Sequence, residues 1–135
     1  MNRNLQAIIG MCFGLVMSAI PVLGHYSFSA EYDRNKPIKF TGTITKVEWT
    51  NPHVYFYVDV KDETGKVINY ACEVGAPNSL YRNGWRKDSL KSGDSVSIEG
   101  WRARDGSNTV NAGTVLLPGG KKVFSGSADE GTPGR

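Results

Sequence analysis

The sequence predicts an all-β fold with one short helix, an OB-fold-like five-stranded Greek-key barrel in the order β-β-β-α-β-β. Three observations predict it. Five segments alternate apolar and polar residues, or are rich in Val, Ile, Thr and aromatics, and turn signals separate them. The longest of these changes its apolar phase midway, as the bulged first strand shared by both halves of such a barrel must. The one helix-like stretch falls between the third and fourth strands. A small open sandwich carrying one helix is the alternative.

Each element has its own signal. Residues 25–37 (HYSFSAEYDRNKP) read as an extended lead-in ending in a turn at Asn35-Lys36-Pro37. Ile38 to Trp49 reads as a long strand. Ile38, Phe40 and Ile44 share one phase and Val47 and Trp49 the other, so a bulge or bend is expected at Gly42 or at the Thr45-Lys46 step. Asn51-Pro52 turns the chain. His53 to Val60 alternates cleanly, with Val54, Phe56, Val58 and Val60 on one face. Lys66 to Val74 is the return strand. Pro77 to Trp85 starts on a proline and meets Gly84 near its end, the signature of a short helix. Ser95 to Arg104 and Asn108 to Leu117 are two further strands joined at Asp105-Gly106-Ser107, and a short strand follows Gly119-Gly120. Residues 125–135 are rich in small residues, Gly and Pro, and read as a flexible tail.

The hairpin register follows from the apolar faces. Ile68, Tyr70, Cys72 and Val74 must point the same way as Val54, Phe56, Val58 and Val60, because directly opposed residues share a face. A three-residue loop, Glu63-Thr64-Gly65, with glycine in the left-handed position satisfies this. It pairs Phe56 with Cys72 and Tyr55 with Glu73. His53, Tyr55, Tyr57, Ala71 and Glu73 then share the outer face, where OB-folds usually hold ligands. Cys72 faces inward, as a buried thiol.

Residues 1–24 read as a secretory signal peptide. One positive charge, Arg3, precedes a charge-free apolar run from Leu5 to Gly24, with Pro21 near its end and Val22 and Gly24 at the −3 and −1 positions. An uncleaved anchor is the competing reading, but Gly10, Gly14, Ser18 and Pro21 interrupt the run. Met11 before Cys12 argues against a lipoprotein. The expected mature protein is periplasmic or secreted, has no stable membrane anchor, and comprises one domain over residues 25–124. Loss of Arg3 and of no acid lowers the formal charge from +3 to +2, too mild to suggest nucleic acid or an anionic membrane as partner. Cys72 is then its single cysteine, so no intrachain disulfide is expected.

The two histidines carry the sharpest functional expectation. Cleavage after Gly24 makes His25 the first residue, with an α-amine and an imidazole able to chelate one metal ion. His53 in Trp49-Thr50-Asn51-Pro52-His53 supplies a third nitrogen. This is the ligand set of a copper histidine brace, and copper favours nitrogen ligands. A cut two residues earlier gives Leu23-Gly24-His25, a chelating tripeptide, although Val22 is a poor residue before a cut. Glu73 is the candidate third side chain or the orienter of His53; on an outer face it is ordinarily a solvated carboxylate. The bland reading of His53 is a turn histidine bonded to loop backbone. Tyr55 and Tyr57 are candidate ligand-contacting side chains, and with Trp49 and Trp101 they are aromatic residues of the kind that stack on sugars or bases. No Ser-His-Asp set, phosphate loop or catalytic carboxylate pair can be assembled.

At HYSFSAEYD, WTNPH, the Glu73 region with Ala76-Pro77-Asn78-Ser79-Leu80, GWRKDSL and RARDGSNTVNA, the chain resembles a family of small exported bacterial proteins of unknown function. The resemblance spans about His25 to Phe124. Members start near His-His-Ser-Phe; Tyr26 stands here in place of the second histidine, which places more weight on His25. Cys72 stands where members carry Phe or a similar residue, which fits a core position. The expected functions rank as an exported binding module for copper or a small ligand, then a metal-free module for a ligand or a periplasmic protein partner, then a copper oxidase or mono-oxygenase.

Overall fold

The longest strand decides the architecture. The computed structural model describes residues 28–124, and within them β1 runs from Tyr32 to Glu48. It is antiparallel to β4 (Ser95–Ala103) from Pro37↔Trp101 to Thr43↔Ser95, and to β2 (Tyr55–Lys61) from Thr43↔Asp59 to Glu48↔Tyr55. Thr43 pairs on both sides, so the handover point must let two strands approach closely. Gly42 permits it: a Cβ there would lie 2.4 Å from the Asp59 carbonyl oxygen. The register shift between Ile44 and Lys46 puts the bulge at Thr45. Of the two places expected, Thr45 carries the bulge and Gly42 the close approach. The bulge also explains the phase change, since Ile38, Phe40, Ile44, Val47 and Trp49 all pack on one core.

The rest of the ring follows in chain order. β2 pairs antiparallel with β3 (Val67–Glu73) in the expected register, Tyr55↔Glu73 and Phe56↔Cys72. Asp62 N–H donates to the Lys66 carbonyl, and Gly65 has φ +83°, so Glu63-Thr64-Gly65 is the loop. β4 pairs antiparallel with β5 (Thr109–Leu116), and β5 returns to run parallel to β3 at Ala71↔Thr109, Cys72↔Val110 and Glu73↔Asn111. Five strands thereby close in the ring β1-β2-β3-β5-β4, the OB-fold connectivity. β6 (Lys122–Phe124) adds to β5 outside the ring.

The core fills the ring. Phe56, Val58, Cys72, Ile98, Val110 and Val115 have no exposed surface. One end is plugged by α2 (Pro77–Arg82), with Leu80 and then Trp85 buried against the core. Pro77 opens the helix, and Gly84 (φ +89°) ends it: Trp85 N–H donates to the Leu80 carbonyl and Gly84 N–H to that of Tyr81, a Schellman closure. The helix is therefore shorter than the 77–85 span read from sequence.

One region differs from expectation. The lead-in is not extended throughout. Phe28–Glu31 forms a single helical turn, α1, and Tyr32 already pairs with Ala103. The turn expected at Asn35-Lys36-Pro37 survives as a break in register between Tyr32 and Pro37, with Asn35 N–H bonded to the Asp33 carboxylate at 3.0 Å. The physical reason is a second, small apolar cluster outside the ring. One turn of helix brings Phe28 and Tyr32 to the same side, where they pack with Ala103 and Trp101. The Phe28 ring meets Trp101 edge-on at 5.4 Å, and the Arg34 guanidinium lies 4.4 Å above its centre. The segment thus covers part of the outer face of β3, β5 and β4. No helix among the described residues is long and apolar enough to cross a membrane. Residues 1–27, with the expected signal peptide and His25, and residues 125–135 lie outside the described residues.

Candidate functional site

The backbone on either side of His53 delivers it to the outer face. Val54 N–H donates to the Gly75 carbonyl at 3.1 Å and Val74 N–H to the Val54 carbonyl at 3.0 Å, which extends the β2–β3 pairing beyond its regular end. Val54 points into the core. His53 therefore faces outward with Tyr55, diagonal to Glu73. The imidazole Nδ1 lies 2.5 Å from Glu73 Oε1. The Tyr32 hydroxyl donates to Glu73 Oε2, and the Tyr55 hydroxyl also bonds this carboxylate. Strand alternation is thus enough to bring His53, Tyr55 and Glu73 together, and the start of β1 adds Tyr32.

Glu73 is not the solvated carboxylate that an outer strand face ordinarily carries. It is only 4% exposed, because α1 and Tyr32 cover it. A buried carboxylate costs several kcal/mol unless donors replace water, and three side chains supply them. Burial, then the adjoining Glu73, raises the ionisation of both Tyr32 and Tyr55 far above the ordinary tyrosine range, so both hydroxyls remain donors. A carboxylate oxygen only accepts, so His53 Nδ1 carries the proton. With Nδ1 engaged by Glu73, Nε2 is the imidazole nitrogen left open, with no hydrogen-bond partner among the described residues. The His53 side chain is 36% exposed. A fixed tautomer with the other nitrogen open is how carboxylates prepare imidazoles for metals or protons. Both Glu73 oxygens are committed to neighbouring side chains, which suits it to orienting His53 rather than to ligating.

Two more residues border this group. Glu31 lies within electrostatic reach of Glu73 and His53; burial first, and the charge of Glu73 second, raise its carboxyl above the usual range, with His53 opposing. Asn111 stands opposite Glu73 in the β3–β5 register, is 5% exposed, and its Oδ1 has no partner among the described residues. Beside them opens a polar cleft of about 510 Å³ between α1 and the β4–β5 turn, lined among others by Glu31, Tyr55, Arg104, Asp105 and Thr109. Among the described residues no three His, Cys, Asp or Glu side chains converge to hold a metal ion.

The other candidates fall elsewhere. Tyr57 donates to Glu48 at 2.9 Å, with Lys46 above its ring. Trp49 packs edge-on against Tyr81, and Trp101 against Phe28. These aromatics form separate contacts and no common platform. Cys72 faces inward with no exposed surface, and burial pushes its thiol well above the ordinary range.

A family described as of unknown function, DUF6152, matches residues 13–112. The chain belongs to DUF6152. No curated protein matches it. The DUF6152 match contains all of β1 to β4 and every residue of the His53 group, from Glu31 to Asn111, and ends before β6. Within this domain, sequence reasoning missed Glu31, Tyr32, Arg104 and Asn111. The available signal was local: Tyr32 sits in the HYSFSAEYD segment singled out above, four residues after Phe28, a helical spacing within a stretch read as extended.

Proposed function

We propose that this DUF6152 protein is an exported binding protein that holds one Cu(II) ion between His53 Nε2 and the amine and imidazole of a mature N-terminal His25. The observation that carries the reading is the His53–Glu73 pair. A buried carboxylate fixes the ring tautomer and leaves one nitrogen open, which is a costly arrangement for a mere turn histidine. The described residues offer this single nitrogen, so a tight site needs donors from the N-terminal residues. Phe28 packs on Tyr32, which bonds Glu73, and His25 precedes Phe28 by three residues, a reach of about 10 Å when extended. The ion would be held by His25 and His53, with Glu73 orienting the ring and a water completing the set. Protons compete for these nitrogens, so affinity falls on acidification.

Cu(II) titration of the exported protein by calorimetry and electron paramagnetic resonance tests the reading, after intact mass has established a start at His25. One equivalent with nitrogen hyperfine structure is expected. His53→Ala and an added residue before His25 each weaken binding substantially, and Glu73→Gln weakens it less. An identical resonance signal with and without His53 removes the shared site. The polar cleft beside Tyr55 favours a second reading, a metal-free module that binds a small polar ligand there.

A further inference from the structure

Tyr32 holds the Glu73 oxygen that His53 leaves free, and Tyr32 sits at the junction between α1 and β1. The residues on either side of that junction are held by one side of the molecule. The Arg104 backbone N–H donates to the Glu31 carbonyl at 2.8 Å, immediately before Tyr32. Its side-chain Nε donates to the Ser29 carbonyl at 2.8 Å, and its Nη1 lies 3.9 Å from the Asp33 carboxylate, immediately after Tyr32. A guanidinium presents several donors in a fixed fork, so one side chain can hold two acceptors at a set separation. Arg104 follows Ala103, which pairs with Tyr32, at the end of β4. It therefore closes a chain of contacts that runs from Ser29 and Asp33 through Tyr32 and Glu73 to the imidazole Nδ1.

We infer that Arg104 is a positioning residue for His53: by clasping α1 at Ser29 and Asp33 it keeps Tyr32 on Glu73, and thereby keeps the His53 ring in its Nδ1–H tautomer with Nε2 presented outward. The clasp lies outside the ring and its side chain is half exposed, so the core does not depend on it. The backbone bond to Glu31 survives any substitution except proline, so a change at this position removes only the side-chain contacts. The inference concerns the state of the ring itself and its first readout needs no metal; its second rests on the copper reading.

The test is nitrogen NMR of the uniformly 15N-labelled protein, with the His53 ring signals assigned by their loss in His53→Ala. The wild type is expected to show the Nδ1–H form. In Arg104→Gln the two tautomers should mix, with the thermal midpoint and the protection of Cys72 nearly unchanged. Arg104→Lys, which can reach Ser29 without forking to Asp33, should fall between. Tyr32→Phe, which leaves Arg104 intact, should reproduce the mixed state if the path runs through the phenol. Unchanged ring signals in Arg104→Gln overturn the inference, as does a mixed state that appears only with loss of Cys72 protection. In the copper-loaded protein Arg104→Gln should lower affinity about tenfold, the lower end of the range for groups that orient a ligand. If the wild type binds no copper, the copper reading falls and the tautomer result still stands or fails alone.

Discussion

The inside of the ring and the patch beneath α1 bury residues by different means. Inside, Phe56, Cys72, Ile98 and Val110 are enclosed by the sheet on all sides, and each is specified by the alternation of its own strand. Outside, Phe28, Tyr32 and Ala103 are buried by one another and by a four-residue turn, on a face that alternation marks as open to water. The inner cluster is a property of the fold; the outer one is a lid that converts a solvent-facing carboxylate into a buried one. The contrast places the proposed site on the outer patch and the stability on the inner core.

Four measurements can break or sharpen this contrast. The largest effect concerns Cys72. A fully enclosed thiol whose ionisation is suppressed by burial reacts only when the domain opens. Labelling of the native protein by a bulky thiol reagent should be slower than that of the denatured protein by roughly three orders of magnitude or more, as expected for a stability of about 5 kcal/mol or more. Fast native labelling would show that the inner cluster is not sealed. Next comes Phe56→Ala, which removes a wholly buried ring from the core; denaturant unfolding should report a loss of about 3–5 kcal/mol.

Phe28→Ala tests the patch. The side chain is buried on one cluster only, so the loss should be about 1.5–3 kcal/mol, the range for removing one apolar side chain from its contacts. Its hallmark is a changed environment for His53 with Cys72 still protected. A cost equal to that of Phe56→Ala would mean the two clusters form one cooperative core. The smallest effect is at Glu31. Its carboxyl is raised in the fold, so above its ordinary value of 4.5 the folded state holds more protons than the unfolded one, and stability falls as pH rises through the folded value. Glu31→Gln should therefore raise the thermal midpoint slightly at neutral pH, with the gain vanishing below about pH 4.5. A lower midpoint at pH 7 would show that the charge is compensated.

The same division governs what could be read from sequence. The strand phases, the bulge at Thr45, the loop ending in Gly65 and the pairing of Tyr55 with Glu73 are local, because period-two alternation and turn chemistry act over a few residues. His53, Tyr55 and Glu73 could be placed on one face for that reason. The cover over Glu73 was not legible. It depends on the parallel pairing of β3 with β5 and on an apolar patch made by Trp101 and Ala103 from another strand. No pattern within HYSFSAEYD shows that such a patch awaits Phe28. Helix α2 was legible at both ends because Pro77 and Gly84 act through their own backbone geometry.

The closure of the ring has one more consequence. β3 meets β5 only through Ala71–Thr109, Cys72–Val110 and Glu73–Asn111, whereas β2 and β3 are paired along their full length. A parallel seam of three pairs is weaker than the seven-pair antiparallel join beside it, and Glu73 is one of its stitches. Its bonds to Tyr32 on β1 and to His53 ahead of β2 button the seam from outside. Amide exchange at Ala71, whose N–H bonds the Asn108 carbonyl across that join, is therefore a gauge of how firmly the button is fastened.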